Sequence, residues 1–147
     1  MESDLRKACQ MLKEQELTCA FVFNEEVYIS KERGVKPLLY CYHQKKMSPG
    51  FSAADKVIGK AAAFLYVLLG ASKIYTNVIS HPAISVLQQN GIEVYYEQLT
   101  EAIQNRTGTG FCPMETAVLS IEDPSEALCA IEKTAEALRK TEVQKET

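Results

Sequence analysis

The chain has 147 residues, 46% of them hydrophobic and 24% charged, which fits one globular domain with its own core and leaves little room for two. A net charge of -3 and a pI near 5.5 exclude a general electrostatic pull toward nucleic acid or an anionic membrane. The five cysteines are odd in number and form no CxxC pair, so they read as reduced thiols in a cytosol and not as a disulfide frame or a structural zinc site. The charged N-terminus lacks the apolar stretch of a signal peptide, and the longest apolar run, Ala61 to Leu69, is far short of the roughly 20 residues of a membrane span. A cytoplasmic domain over residues 1–140 with a polar tail over 141–147 is expected.

In chain order, Leu5, Ala8, Cys9, Met11 and Leu12 recur at helical spacing and predict a first helix over residues 3–16. Thr18 to Phe23 and Val27 to Ile29 flank Asn24-Glu25-Glu26 as two strands of a β-hairpin. Pro37 to Tyr42 reads as a short helix or an extended segment, and periodicity does not decide between them. Met47 to Gly50 is a turn. Lys73 to Ile79 is a predicted strand, Pro82 to Asn90 a helix stopped by Gly91, and Ile92 to Tyr96 a second strand. Right-handed crossovers would pair these strands in parallel and place helices on both faces of the sheet. Leu99 to Gln104 is expected to add a helical turn, and Asp123-Pro124-Ser125-Glu126 opens a last helix striped by Ala127, Leu128, Ile131, Ala135 and Leu138.

Phe51 to Gly70 stands out. Ser52 followed three residues later by Asp55 has the spacing of a capping box, and the chain beyond is almost wholly apolar, so the pattern predicts a buried core helix starting at Ser52. Asp55, Lys56 and Lys60 would then sit near its mouth, with Lys56 and Lys60 one turn apart on one face. Two stacked ammonium groups there are unfavourable without an anion between them, which points to a phosphate or carboxylate ligand. Snorkelling is the commoner outcome for a lone lysine such as Lys56, and Asp55 could be a cap and nothing more.

The second stretch is Arg106-Thr107-Gly108-Thr109-Gly110-Phe111-Cys112-Pro113-Met114-Glu115. Pro113 suits the first position of a helix with Cys112 as its cap, and the glycines let backbone approach a bound group. Thr116 to Ile121 reads as a continuation of that helix, with a strand as the alternative. Cys112 at a helix start beside Arg106 is where a thiolate would be favoured, with a buried small residue as the plain alternative. His81 is the nearest candidate base by sequence, Glu115 and Asp55 are candidate acids, and Asn77 lies on the strand leading to His81.

The stretch SHPAISVLQQNGIEVYY resembles the part of the cytidine deaminase-like fold in which a Pro-Cys-x-x-Cys turn opens a helix. Here Ala83 and Val86 stand at the two cysteine positions, and Ala-Ala-Asp-Lys replaces the His/Cys-x-Glu motif, so the zinc set of that family is missing. The paired motifs ADKVIGKAAA and CPMET resemble domain of unknown function 1893, a family within that superfamily. The resemblance implies an α/β three-layer sandwich around a mixed, mostly parallel sheet of four to five strands. It implies a site beyond the carboxyl ends of the parallel strands.

Three functions are compatible with these residues. The first is a metal-free and cofactor-free domain binding a small anionic metabolite or nucleotide through Lys56, Lys60, Asn77, Arg106, Thr107, Gly108, Thr109 and Gly110. The second is an enzyme with Cys112 as nucleophile and Asp55, Glu115 or His81 moving protons. The third is a structural module forming a homodimer. Nucleic acid and membrane are not expected as partners.

Overall fold

A computed structural model describes residues 3–103 and 112–146. Helix α1 spans Ser3–Glu14, and strands β1 (Cys19–Phe23) and β2 (Glu26–Ser30) form the expected hairpin, with Asn24 in the left-handed region at its turn. Lys36–Gln44 is a helix, α2. Pro37 sits in its first turn, where its missing N–H costs nothing, and Leu38 and Cys41 are buried, which resolves the ambiguity of that stretch.

The largest departure from expectation is the stretch after Phe51. Ser52–Ile58 is a strand, β3, and the core helix α3 begins only at Lys60 and runs to Leu69. A capping-box spacing is a local signal worth about 1 kcal/mol, whereas this segment lies between two other strands and pairs along both edges. Ala53, Ala54 and Ser52 are buried there with every backbone group offered a partner, so the ladder prevails over the local helix signal. Gly59 makes the junction, extended at φ -98° and ψ -177°, and Gly70 ends α3 in a left-handed cap.

Strand β4 (Lys73–Ser80), helix α4 (His81–Gln89) and strand β5 (Glu93–Thr100) follow as expected in type, though β5 extends through residues predicted to start a helical turn at Leu99. A further short helix, α5, covers Pro113–Ala117, and turns follow it over 118–120. Helix α6 runs Pro124–Glu146, so the segment expected as a tail continues the helical backbone.

The sheet has the order β2-β1-β3-β4-β5. β3, β4 and β5 pair in parallel, β1 runs antiparallel to both β2 and β3, and β1 alone therefore opposes the direction of the other strands. Because β3, β4 and β5 are laid down in one direction across the sheet, right-handed crossovers bring α3 and α4 to the same face, and α1 supplies the helix on the other, so both faces carry helices as expected. On that face Phe21, Phe51, Ile58, Ile74 and Ile79 pack under α2, α3 and α4, and Ala127 and Ile131 of α6 join the same core. The opposite face is covered by α1, whose Leu5, Ala8 and Leu12 pack on Ala20, Val22, Ala54 and Tyr75. Phe64, Leu65 and Tyr66 of α3 are fully buried, each contributing about 1.5–3 kcal/mol of apolar transfer, so α3 is the keel of the domain.

Candidate functional site

The parallel strands end at Ile58, Ser80 and Thr100, and the chain leaves each of them into a helix or loop at the same rim of the sheet. A cavity of about 290 Å³ opens there, with Lys60, Ser80 and Pro82 on the body side and Glu115, Thr116 and Leu119 on the other. Its walls are mainly apolar. The position agrees with the general rule that open α/β sheets bind ligands beyond the carboxyl ends of their parallel strands.

The site is held together across 55 residues of chain. The Glu115 carboxylate accepts the backbone N–H of Lys60 at 2.6 Å through Oε1 and that of Ala61 at 2.9 Å through Oε2. These are the first N–H groups of α3, which have no partner within the helix, and a carboxylate there also meets the positive end of the helix dipole. Glu115 thus caps α3 and not the start of its own helix. Gly59 makes the approach feasible, because a Cβ at that position would collide with the Glu115 carboxylate.

Among the described residues, Lys60 is the cation of the cavity wall. Its side chain is 11% exposed and its Nζ donates to the Leu119 carbonyl at 3.1 Å. The Glu122 carboxylate lies 3.7 Å away on a largely exposed side chain, and the Phe64 ring centroid is 5.7 Å from Nζ. An ammonium has three donors, and among the described residues only the Leu119 carbonyl meets one at close range.

The pairing of Lys56 with Lys60 on one helix face does not hold. Lys56 lies on β3, exposed, and its backbone N–H donates to the Thr18 carbonyl at 3.1 Å. Asp55 is also on β3 and not in a helix cap. It is buried and accepts the Tyr66 hydroxyl at 2.6 Å and, more weakly, the Val57 N–H at 3.4 Å. Burial pushes its carboxyl up to about 7, against the partial relief these donors give. Asp55 is sealed under α3 and does not line the cavity.

His81 is the first residue of α4. The cap is Ser80, whose hydroxyl accepts the Ala83 N–H, and the exposed His81 ring has Nε2 3.6 Å from the Glu101 carboxylate at the cavity mouth. Cys112 does precede Pro113 as the residue capping α5, half-buried, with its N–H donating to the Ile103 carbonyl at 3.1 Å. Asn77 is an exposed residue of β4. Arg106, Thr107, Gly108, Thr109 and Gly110 lie outside the described residues. Sequence reasoning missed the partners: Gly59, Tyr66 and the Leu119 carbonyl carry no motif and become recognisable only once β3 separates Asp55 from α3. Among the described residues no group of three His, Cys, Asp or Glu side chains could hold a metal ion. Ala83 and Val86 of α4 are buried.

No helix among the described residues is long and apolar enough to cross a membrane. No curated protein matches the chain. A DUF1893 family protein (TM1506) from Thermotoga maritima has a similar crystal structure, with a TM-score of 0.80 at 26% identity over 93% of this chain and 92% of that one. Residues 7–135 match the family described as TM1506: Domain of unknown function (DUF1893), and the chain belongs to that family.

Proposed function

We propose that this domain binds a small molecule with an apolar body and one anionic group, carboxylate or phosphate, in the cavity at the carboxyl ends of β3, β4 and β5. The observation that carries the reading is Lys60, a nearly buried ammonium at the wall of an otherwise mainly apolar cavity, with donors to spare among the described residues. Burying a charge without full pairing is costly, and an anionic ligand would relieve that cost. The scaffold we infer is cytidine deaminase-like. The order β2-β1-β3-β4-β5 with β1 alone reversed, and the proline-led α4 after β4, support it, while the donor-free Ala83 and Val86 favour binding over zinc chemistry. The cytoplasm is the setting in which five reduced thiols suit such a protein.

Thermal-shift measurements with aromatic carboxylates, nucleotides and sugar phosphates test the reading. Saturation at a hundred times the dissociation constant adds about 2.7 kcal/mol of stability. Lys60→Met should weaken binding of the responding compound at least tenfold, while Lys56→Met, on the exposed part of β3, should leave it unchanged. No response to any of these compounds, or equal binding by the Lys60 variant, overturns it.

A further inference from the structure

We infer that the segment from Cys112 to Leu119 is a gate over the cavity, closed by a two-point polar clasp on α3 and opened for ligand to enter. The inference rests on the reading that the cavity holds a ligand. One point of the clasp is the Glu115 carboxylate on the Lys60 and Ala61 N–H groups, and the other is the Lys60 ammonium on the Leu119 carbonyl. Among the described residues, α5 is held besides by the half-buried Met114 against the main core, by packing on α6, and by the Cys112 N–H on the Ile103 carbonyl at 3.1 Å. None of its residues Pro113–Ala117 is buried, and a helix of that length does not persist without tertiary support. Val118, fully buried in the main core, is the pivot, and Leu119 beside it is 64% exposed at the rim.

The segment and the body share the cavity wall: Glu115, Thr116 and Leu119 come from the segment, and Lys60, Ser80 and Pro82 from the body. Swinging α5 outward would break the clasp and the Cys112–Ile103 bond and lift Met114 from the core while the sheet and α3 stay in place, a local opening and not unfolding of the whole domain. The same ammonium that would hold the ligand's anionic group also holds Leu119. A ligand on the spare donors of Lys60 would thus sit directly beside the Leu119 half of the clasp.

Amide exchange of the whole protein without ligand, followed by NMR, tests the clasp. Glu115→Gln replaces one acceptor oxygen with a donor facing a backbone N–H, and should speed exchange at residues 113–119, Lys60 and Ala61 at least tenfold while β4 stays within twofold. Gly59→Ala, which displaces the same carboxylate, should do likewise. Unchanged exchange, or an equal rise throughout β4 and α4, overturns the gate. Stopped-flow association of anilinonaphthalene sulfonate, an apolar anion, tests its use: Glu115→Gln should bind about tenfold faster. Equal rates in the two proteins sink the gate while leaving ligand binding intact. Absence of probe binding in both overturns the ligand reading and the gate with it, whatever the exchange shows about the clasp.

Discussion

Two carboxyl groups bracket the β3–α3 junction, and their surroundings are opposite. Asp55 lies before it, sealed beneath α3 with one strong donor, the neutral hydroxyl of Tyr66. Glu115 reaches the junction from a distant segment and meets two backbone N–H groups at the positive end of a helix. Desolvation dominates the first and favours the protonated form. An acid buried among neutral groups is a cost that rises with pH, whereas an acid seated on a helix N-terminus is a fastening.

The largest expected effect breaks the comparison on the Asp55 side. Its carboxyl is raised from 3.8 to about 7 in the folded protein, so between those values the native state holds a proton that the unfolded chain has released. The contribution to stability is therefore fully present below about pH 4, declines as pH rises, and is lost above about pH 7. A shift of this size corresponds to about 4 kcal/mol as an upper bound. Urea unfolding from pH 4 to pH 8 should show that decline, and Asp55→Asn, which keeps an acceptor for Tyr66 and cannot ionise, should flatten it and gain most at pH 8. An equally steep profile in the variant would assign the pH dependence elsewhere.

Much of the scaffold was legible because its signals are periodic. Leu5, Ala8 and Leu12 at helical spacing, the strand formers around Asn24, and the proline and glycine bracketing α4 each name their element without help from the rest of the chain. Ser52 to Ile58 was not legible because its nature is set by neighbours on both sides, Cys19 to Val22 and Lys73 to Ile79, which no local pattern encodes. The misplaced helix start carried Asp55 and Lys56 into a site where they do not belong. It nonetheless left one correct association, since the ADKVIGKAAA and CPMET segments do meet, through Lys60 and Glu115. Glu115 is found three residues after Cys112, as a capping acid would be, but the helix it caps lies 55 residues earlier in the chain, and that distance hides it.

The Glu115 side of the comparison is tested by Glu115→Ala. Two charge-assisted hydrogen bonds to otherwise orphaned N–H groups are lost, together with the carboxylate at the dipole, at a cost of about 2–3 kcal/mol of stability at neutral pH. Thermal unfolding at pH 7 reads it. A loss below about 0.5 kcal/mol would mean that water replaces the carboxylate without penalty, and the contrast between the two acids would reduce to Asp55 alone.

The smallest effect is the most discriminating because its sign should reverse. Gly59 has an extended backbone that alanine adopts without strain, so Gly59→Ala should by itself stabilise by about 0.5 kcal/mol through the unfolded chain. In the native protein the added methyl collides with the Glu115 carboxylate and forces it off the α3 N–H groups, turning the balance to a net loss of about 1 kcal/mol. With Glu115→Ala already in place the collision is gone, and the same substitution should become neutral or stabilising. A double-mutant cycle by urea unfolding measures the difference. Additive losses would show that the glycine serves the turn itself, and a non-additive reversal would show that it is there to admit Glu115.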